Sequence, residues 1–266
     1  MTRPVPFPLA AVDIGNSRIK FGLFTSPPEK TGAAGLPAPV QTLDLEPDAE
    51  QLPEIARWLG AATPPGAVSW WIGSVERSVT VRLVDWLRRE DAAAVTLLSA
   101  SDLPLTVGLP QPDRVGIDRL LGAVAANRVR TKGQGAIVVD LGTAITVDLV
   151  SPSGEFLGGA ILPGIGTSAR ALHQFTDLLP LVKMHELAEP PPALGANTIE
   201  AMRSGLYWGA VGGVKQLIEL LGGSIAGKPD ILLTGGAAPV VAGLLSPAAR
   251  YEPHLTLAGI ALTAAQ

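Results

Sequence analysis

Two short segments hold the residue types best suited to gripping a phosphate. Asp13-Ile14-Gly15-Asn16-Ser17 and Asp140-Leu141-Gly142-Thr143-Ala144 each place an acid at the end of an apolar run, followed by a glycine and a small polar residue. Glycine lets the backbone approach an anion closely, and successive N–H groups around such a turn form an anion-binding concavity. The Asn16 amide and the hydroxyls of Ser17 and Thr143 add donors, while Asp13 or Asp140 can hold a hydrated cation that bridges phosphates. Two such turns facing each other would clamp a polyphosphate from both sides. A third turn, Leu233-Thr234-Gly235-Gly236, follows an apolar run late in the chain, where its glycines would leave room for a nucleoside ring.

Between the two Asp-x-Gly turns lies Val115-Gly116-Ile117-Asp118-Arg119-Leu120. Asp118 can accept a proton from a substrate hydroxyl, and Arg119 can bind a carboxylate or phosphate in bidentate fashion. Arg119 is expected to favour the charged form of its neighbour. A plainer role fits the same pair: an acid in the first turn of a helix, favoured by the dipole, beside an arginine in a surface ion pair.

The elements that must position these residues read as two rounds of one pattern. Leu9–Ile14 is a short apolar strand and Arg18–Phe24 alternates like a half-buried one. Residues 25–40 form a Pro- and Gly-rich loop, followed by a helix in QLPEIARWLGAA and a strand over Ala67–Val75. A helix in VTVRLVDWLRRE shows Val81, Val84 and Leu87 as its apolar stripe. A strand in VTLLSA and a helix starting near Ile117 complete the first half. The second half opens on strands Ala136–Leu141 and Ile145–Val150, then EFLGGAIL. Helices around 165–179 and 197–221, the strand Asp230–Gly236 and two short helices follow, with PPPALG as a rigid connection. Asp13 and Asp140 stand nearly half a chain apart, at matching places in the two rounds. A repeat on that scale implies two similar α/β lobes, expected over residues 1–115 and 116–266, with a cleft between them. Two common Asp-Gly hairpin turns coinciding is the alternative.

Composition narrows the chemistry further. The chain has 266 residues, 47% hydrophobic and 17% charged, which is enough apolar material for a sizeable core and rules out disorder. With no Cys there is no disulfide, thiol nucleophile or Cys-ligated metal. His173, His185 and His254 show no metal-ligand spacing. The net charge of −4 argues against a nucleic-acid partner. No apolar run is long enough to span a membrane. Prolines interrupt the first residues and Asp13 arrives too early for a signal peptide, so a cytoplasmic protein is expected. Two further glycine motifs mislead. Gly222–Lys228 resembles a phosphate loop but has Pro229 where Ser or Thr is needed and follows a helix. Gly164-Ile165-Gly166-Thr167-Ser168-Ala169 fits a dinucleotide fingerprint without a readable β–α–β unit, although a helix start approaching a ligand stays open.

Taken together and in order, Asp13-x-Gly15-Asn16-Ser17, Gly116-Ile117-Asp118-Arg119, Asp140-x-Gly142-Thr143-Ala144 and Thr234-Gly235-Gly236 resemble the type III pantothenate kinases, within the actin–Hsp70–sugar kinase superfamily. The stretch DLGTAITVDLVSPSGEFLGGAILPG is the most specific part. The resemblance implies two ribonuclease H-like lobes with ATP between them and transfer of its γ-phosphoryl to pantothenate, the first step towards coenzyme A. It implies that Asp13, Ile14, Gly15, Asn16, Ser17, Arg18, Ile19 and Lys20 form the first phosphate loop and that Thr143 contacts ATP. It also implies that Gly116, Ile117, Asp118 and Arg119 line the pantothenate site, with Asp118 as proton acceptor. Asp140 resembles the family's ligand for a monovalent cation, potassium or ammonium, needed beside magnesium. Thr198 matches a threonine that touches substrate from the partner's side of a homodimer. Three positions depart from the family pattern. Leu109 stands where a Tyr is frequent and removes a polar wall from the pocket. Ser17 replaces Thr but keeps the hydroxyl, and Ile117 replaces a common Ala. Another small-molecule kinase of the superfamily, or a nucleotide-binding regulator without catalysis, are the competing readings.

Overall fold

The computed structural model describes residues 7–29, 35–60, 66–90, 94–246 and 248–266. They form two five-stranded sheets. In the first, β1 (Leu9–Ile14) pairs antiparallel with β2 (Ile19–Phe24), which pairs with β3 (Gln41–Leu45); on its other side β1 runs parallel to β4 (Ser69–Ser74), which is parallel to β5 (Ala94–Leu97). The order is therefore 3-2-1-4-5. In the second, β6 (Ala136–Leu141), β7 (Ala144–Val150), β8 (Phe156–Pro163), β9 (Asp230–Thr234) and β10 (Arg250–Tyr251) repeat that order and those directions. Asp13 is the fifth residue of β1 and Asp140 the fifth of β6, so the repeat read from the two acids is a repeat of topology.

In each sheet the strand bearing the acid is central and must be apolar on both faces, which is why LAAVDI and AIVVDL are nearly unbroken apolar runs. Alternate residues Ala10, Val12 and Ile14 join Phe21, Trp70 and Ile72 in a core closed by α1 (Glu54–Leu59) and α2 (Arg77–Glu90). The buried face of α2 is Val79, Leu83, Val84 and Leu87, while Val81 is 59% exposed. The expected stripe through Val81 is thus corrected: spacing by four from Val79 sets the face, and Val81 falls outside it.

Helices α3 (Ile117–Val129) and α7 (Leu255–Ala264) pack against each other and on the first sheet. Both are rich in Ala and Gly and buried on most sides. A Cβ at Gly259 would lie 2.8 Å from the Leu121 carbonyl carbon, so glycine is what lets the two backbones approach there. This pairing corrects the expected lobes of 1–115 and 116–266. The compact units are Met1–Val129 with His254–Gln266, and Arg130–Pro253. The chain returns to its first unit for its last helix, because α7 buries its apolar surface there.

In the second unit α4 (Ile165–Gln174), α5 (Thr198–Gly222) and α6 (Ala238–Leu245) cover one face of the sheet, closing on Ile137, Val139, Leu141, Ile145 and Val147. Asn197 caps α5, its side chain accepting from the Glu200 N–H at 3.0 Å. The proline segment before it is tied down by Trp208 Nε1 donating to the Pro191 carbonyl at 2.9 Å and Ser204 Oγ to that of Ala193 at 2.7 Å. Helix α4 stops at Gln174, short of the expected 179.

Candidate functional site

In the first unit the candidate residues gather at the carboxyl end of the central parallel strands, where open α/β sheets present their ligand sites. The β1–β2 turn closes with Gly15 N–H donating to the Arg18 carbonyl at 3.0 Å, leaving Asn16, Ser17 and Arg18 exposed at its tip. Arg18 sits 3.8 Å from Glu46, an exposed pair of little energetic weight. Lys20 lies opposite Asp13 across the hairpin. Beside Ile14, the Val75 N–H donates to its carbonyl at 3.0 Å and extends the β1–β4 ladder past the strand end.

Gly116, Ile117, Asp118 and Arg119 form the entry to α3. Asp118 Oδ1 accepts from the Arg119 N–H at 2.8 Å, as an acid in a first helical turn does. A Cβ at Gly116 would stand 2.5 Å from Asp118 Oδ1, so only glycine leaves the carboxylate this position. Burial pushes the Asp118 carboxyl above the usual carboxylate range, against the lowering effects of the Arg119 N–H and charge and of the Lys20 charge. Arg119 does act in the expected direction, but desolvation outweighs it. Desolvation makes this half-buried carboxylate a better proton acceptor than a solvated one, and the Arg119 and Lys20 charges offset only part of that gain.

Sequence reasoning missed the neighbouring start of α2. Glu76 accepts the Val79 N–H at 2.6 Å and that of Ser78 at 3.3 Å, which with Ser78 Oγ lowers its carboxyl below the usual range. Its signal was an acid three residues ahead of an apolar helical position.

In the second unit Gly142 N–H donates to the Ala144 carbonyl at 3.0 Å, closing the β6–β7 turn with Thr143 exposed. Two other segments press on it. Gly235 has φ +94°, and a Cβ there would lie 2.6 Å from the Leu141 backbone and closer still to Asp140 Oδ1. The late glycine turn therefore packs on the acid-bearing strand end, a role beyond leaving space for a ring. On the other side a Cβ at Gly164 would lie 2.6 Å from the Thr143 carbonyl oxygen, to which the Gly164 N–H donates at 3.0 Å. The fingerprint-like run from Gly164 is the first turn of α4 after β8, with no β–α–β unit. Gly222–Lys228 begins on the last residue of α5 and precedes β9.

Thr198 opens α5 and lines an apolar cavity of about 660 Å³ with Ile145, Leu162, Ser168, Met202 and Leu206. Among the described residues no cluster of three or more His, Asp or Glu side chains is arranged to hold a metal by itself. Single carboxylates at Asp13 and Asp140 suit magnesium or another hard cation that takes its remaining oxygens from water and phosphate. Among the described residues no helix is long and apolar enough to cross a membrane.

A model of the type III pantothenate kinases matches residues 9–220. The chain belongs to the type III pantothenate kinase family. The match includes Asp13, Asp118, Asp140 and Thr198, and ends before Gly235. A type III pantothenate kinase of Anaeromyxobacter sp. (strain K) is 41% identical over 161 residues, 59% of this chain and 61% of that protein. One from Acidiphilium cryptum (strain JF-5) is 39% identical over 180 residues, 68% of this chain and 65% of that protein. The matched region thus spans a little under two thirds of these pantothenate kinases. Among solved structures, a glucokinase from an Antarctic psychrotroph aligns over 98% of each chain with a TM-score of 0.51 at 11% identity, a likeness of fold.

Proposed function

We propose that this protein transfers the γ-phosphoryl group of ATP to the terminal primary hydroxyl of pantothenate, giving 4'-phosphopantothenate for coenzyme A synthesis. The observation that carries the reading is Asp118: a half-buried carboxylate at a helix start, raised by burial and flanked by Lys20 and Arg119. Phosphoryl transfer asks the protein mainly for positioning and charge neutralisation. The β1–β2 turn, Asp13 to Lys20, and the β6–β7 turn at Thr143 offer backbone N–H groups and hydroxyls to the phosphates. Asp118 takes the proton of the attacking hydroxyl as the new O–P bond forms and the bond to ADP breaks. Arg119 and the backbone at Gly116–Ile117 orient pantothenate through its carboxylate and amide. Magnesium beside Asp13 and a monovalent cation beside Asp140 would neutralise phosphate charge when bound. Measuring ADP release with and without pantothenate tests the reading: release that depends on pantothenate supports it. Release with a different hydroxyl acceptor alone would point to another kinase of the superfamily, and nucleotide binding with no turnover to a regulator.

The Asp140 role makes a separate prediction. Activity should fall sharply when sodium replaces potassium or ammonium at equal ionic strength, since the ions differ in size and hydration and a cation site selects by cavity size and ligand number. Equal rates in the three salts would remove the cation role.

A homodimer is part of the same reading, with Thr198 reaching substrate from the partner's side. Its support is the apolar cavity beside Thr198 and the exposed Phe175 and Leu178 that follow α4; a surface of that kind marks an association site. Light scattering should return twice the mass of one chain, and a single-chain mass would end the dimer reading.

A further inference from the structure

One carbonyl in the second unit is held more tightly than a hairpin turn requires. The Thr143 carbonyl oxygen accepts twice, from the Gly164 N–H at 3.0 Å and from the Thr167 hydroxyl at 2.6 Å. Gly164 is the cap residue between β8 and α4, and Thr167 lies in the first turn of that helix. The direction of the second bond is fixed by its other neighbour: Arg170 Nη2 lies 3.1 Å from Thr167 Oγ1. A guanidinium has no acceptor, so the hydroxyl must accept from Arg170 and spend its single proton on Thr143. A charged donor feeding a hydroxyl also strengthens the bond the hydroxyl gives. With both lone pairs of its carbonyl engaged, the Thr143–Ala144 peptide plane is set, and a planar trans peptide sets the Ala144 N–H opposite that carbonyl.

We propose that Thr167, backed by Arg170, is a positioning residue for the β6–β7 phosphate turn: it fixes the peptide that carries Thr143 and so sets nucleotide affinity without touching substrate. This rests on the reading of that turn as an ATP contact. The chain's glycine at 164 is part of the same device, because only a residue without Cβ lets α4 come this close to the turn. Side chains in such a supporting layer matter when a site must be held to within a fraction of an ångström.

The test is Thr167→Val, which keeps the shape and removes the proton, beside Thr167→Ser, which keeps the hydroxyl. Calorimetric titration with a non-hydrolysable ATP analogue reads affinity without any acceptor. The Val variant should bind about five- to tenfold more weakly, the worth of one lost hydrogen bond. Its KM for ATP should rise in step while KM for pantothenate stays put and the melting temperature falls by no more than about 2–6 °C, and the Ser variant should behave as wild type. Unchanged affinity in the Val variant overturns the proposal. So does a loss that Ser fails to rescue, or an equal change in both KM values with a lowered melting temperature, which is what a merely structural threonine gives. Wild-type protein that binds no nucleotide would overturn the functional reading itself, and this proposal with it. Nucleotide binding without pantothenate turnover would sink only the kinase assignment.

Discussion

Asp118→Asn is expected to lower turnover by roughly 10²–10⁴-fold, the usual worth of general-base assistance. The substitution preserves size and the acceptor for the Arg119 N–H, and it removes the one group at the α3 entry able to take a proton. ATP affinity should survive, because neither phosphate turn is altered. The pH behaviour follows from the direction of the shift. The base works only when ionised, and burial raises its pKa. The acid limb of the rate profile should therefore lie at higher pH than an ordinary carboxylate gives, and it should vanish in the Asn variant. Stability runs the other way. A folded pKa above the unfolded one contributes stability that is fully present below the unfolded value and lost as pH rises through the folded value. At neutral pH the ionised Asp118 thus costs the fold something, and Asp118→Asn should melt at or slightly above the wild-type temperature. An acid serving only the helix dipole predicts the opposite, a loss of about 1 kcal/mol or less with turnover nearly unchanged. Turnover and melting measured on the same protein separate the two, and normal turnover would end the catalytic role.

What could be read from the sequence follows from where side chains point. The central strands were legible because burial on both faces leaves unbroken apolar runs, and the two Asp-x-Gly turns sit at their ends. Strand β3 was missed because Gln41–Leu45 is an edge strand with only Leu45 buried, so it carries almost no apolar signal. Strand β10 is two exposed residues. The α2 stripe was misplaced because VTVRLV offers valines on two faces, and only packing chooses between Val79 and Val81. The lobe boundary failed for a different reason: sequence order suggests that the last helix belongs with the lobe before it, whereas α7 packs on α3. At the candidate site, residue types and spacing pointed to Asp13, Asp118 and Asp140 as candidates. They did not reveal that burial would outweigh Arg119 at Asp118. Nor did they reveal that the run beginning at Gly164, discounted as a fingerprint, braces the Thr143 turn. Such braces are contacts between distant segments and leave no local pattern.

The adjacent glycines Gly235 and Gly236 are identical in sequence terms and opposite in structure. Gly235→Ala asks an L residue to hold φ +94°, which costs about 1–2 kcal/mol. Its Cβ would also lie 2.6 Å from the backbone C and N of Leu141 and closer to Asp140 Oδ1. That backbone cannot yield cheaply, since Asp140 pairs with Ile145's neighbour Thr146 on one side and with Thr234 on the other, and the Ala237 N–H donates to the Leu141 carbonyl at 3.0 Å. Overpacking a fixed site adds about 1–3 kcal/mol. The sum, about 3 kcal/mol, should lower the melting temperature by roughly 6–12 °C for a chain of this size. Because the displaced atom is the Asp140 carboxylate, the potassium dependence proposed for that acid should also weaken at temperatures where the variant is still folded. At Gly236 a Cβ meets nothing within 4 Å and φ lies outside the strained region, so Gly236→Ala should melt within about 1 °C of wild type. Any loss of ATP affinity there would mean that the nucleoside uses the open space. A wild-type melting temperature and an unaltered potassium response in Gly235→Ala would show that the β9–α6 turn can move off Asp140, and would remove the argument that this glycine holds the acid in place.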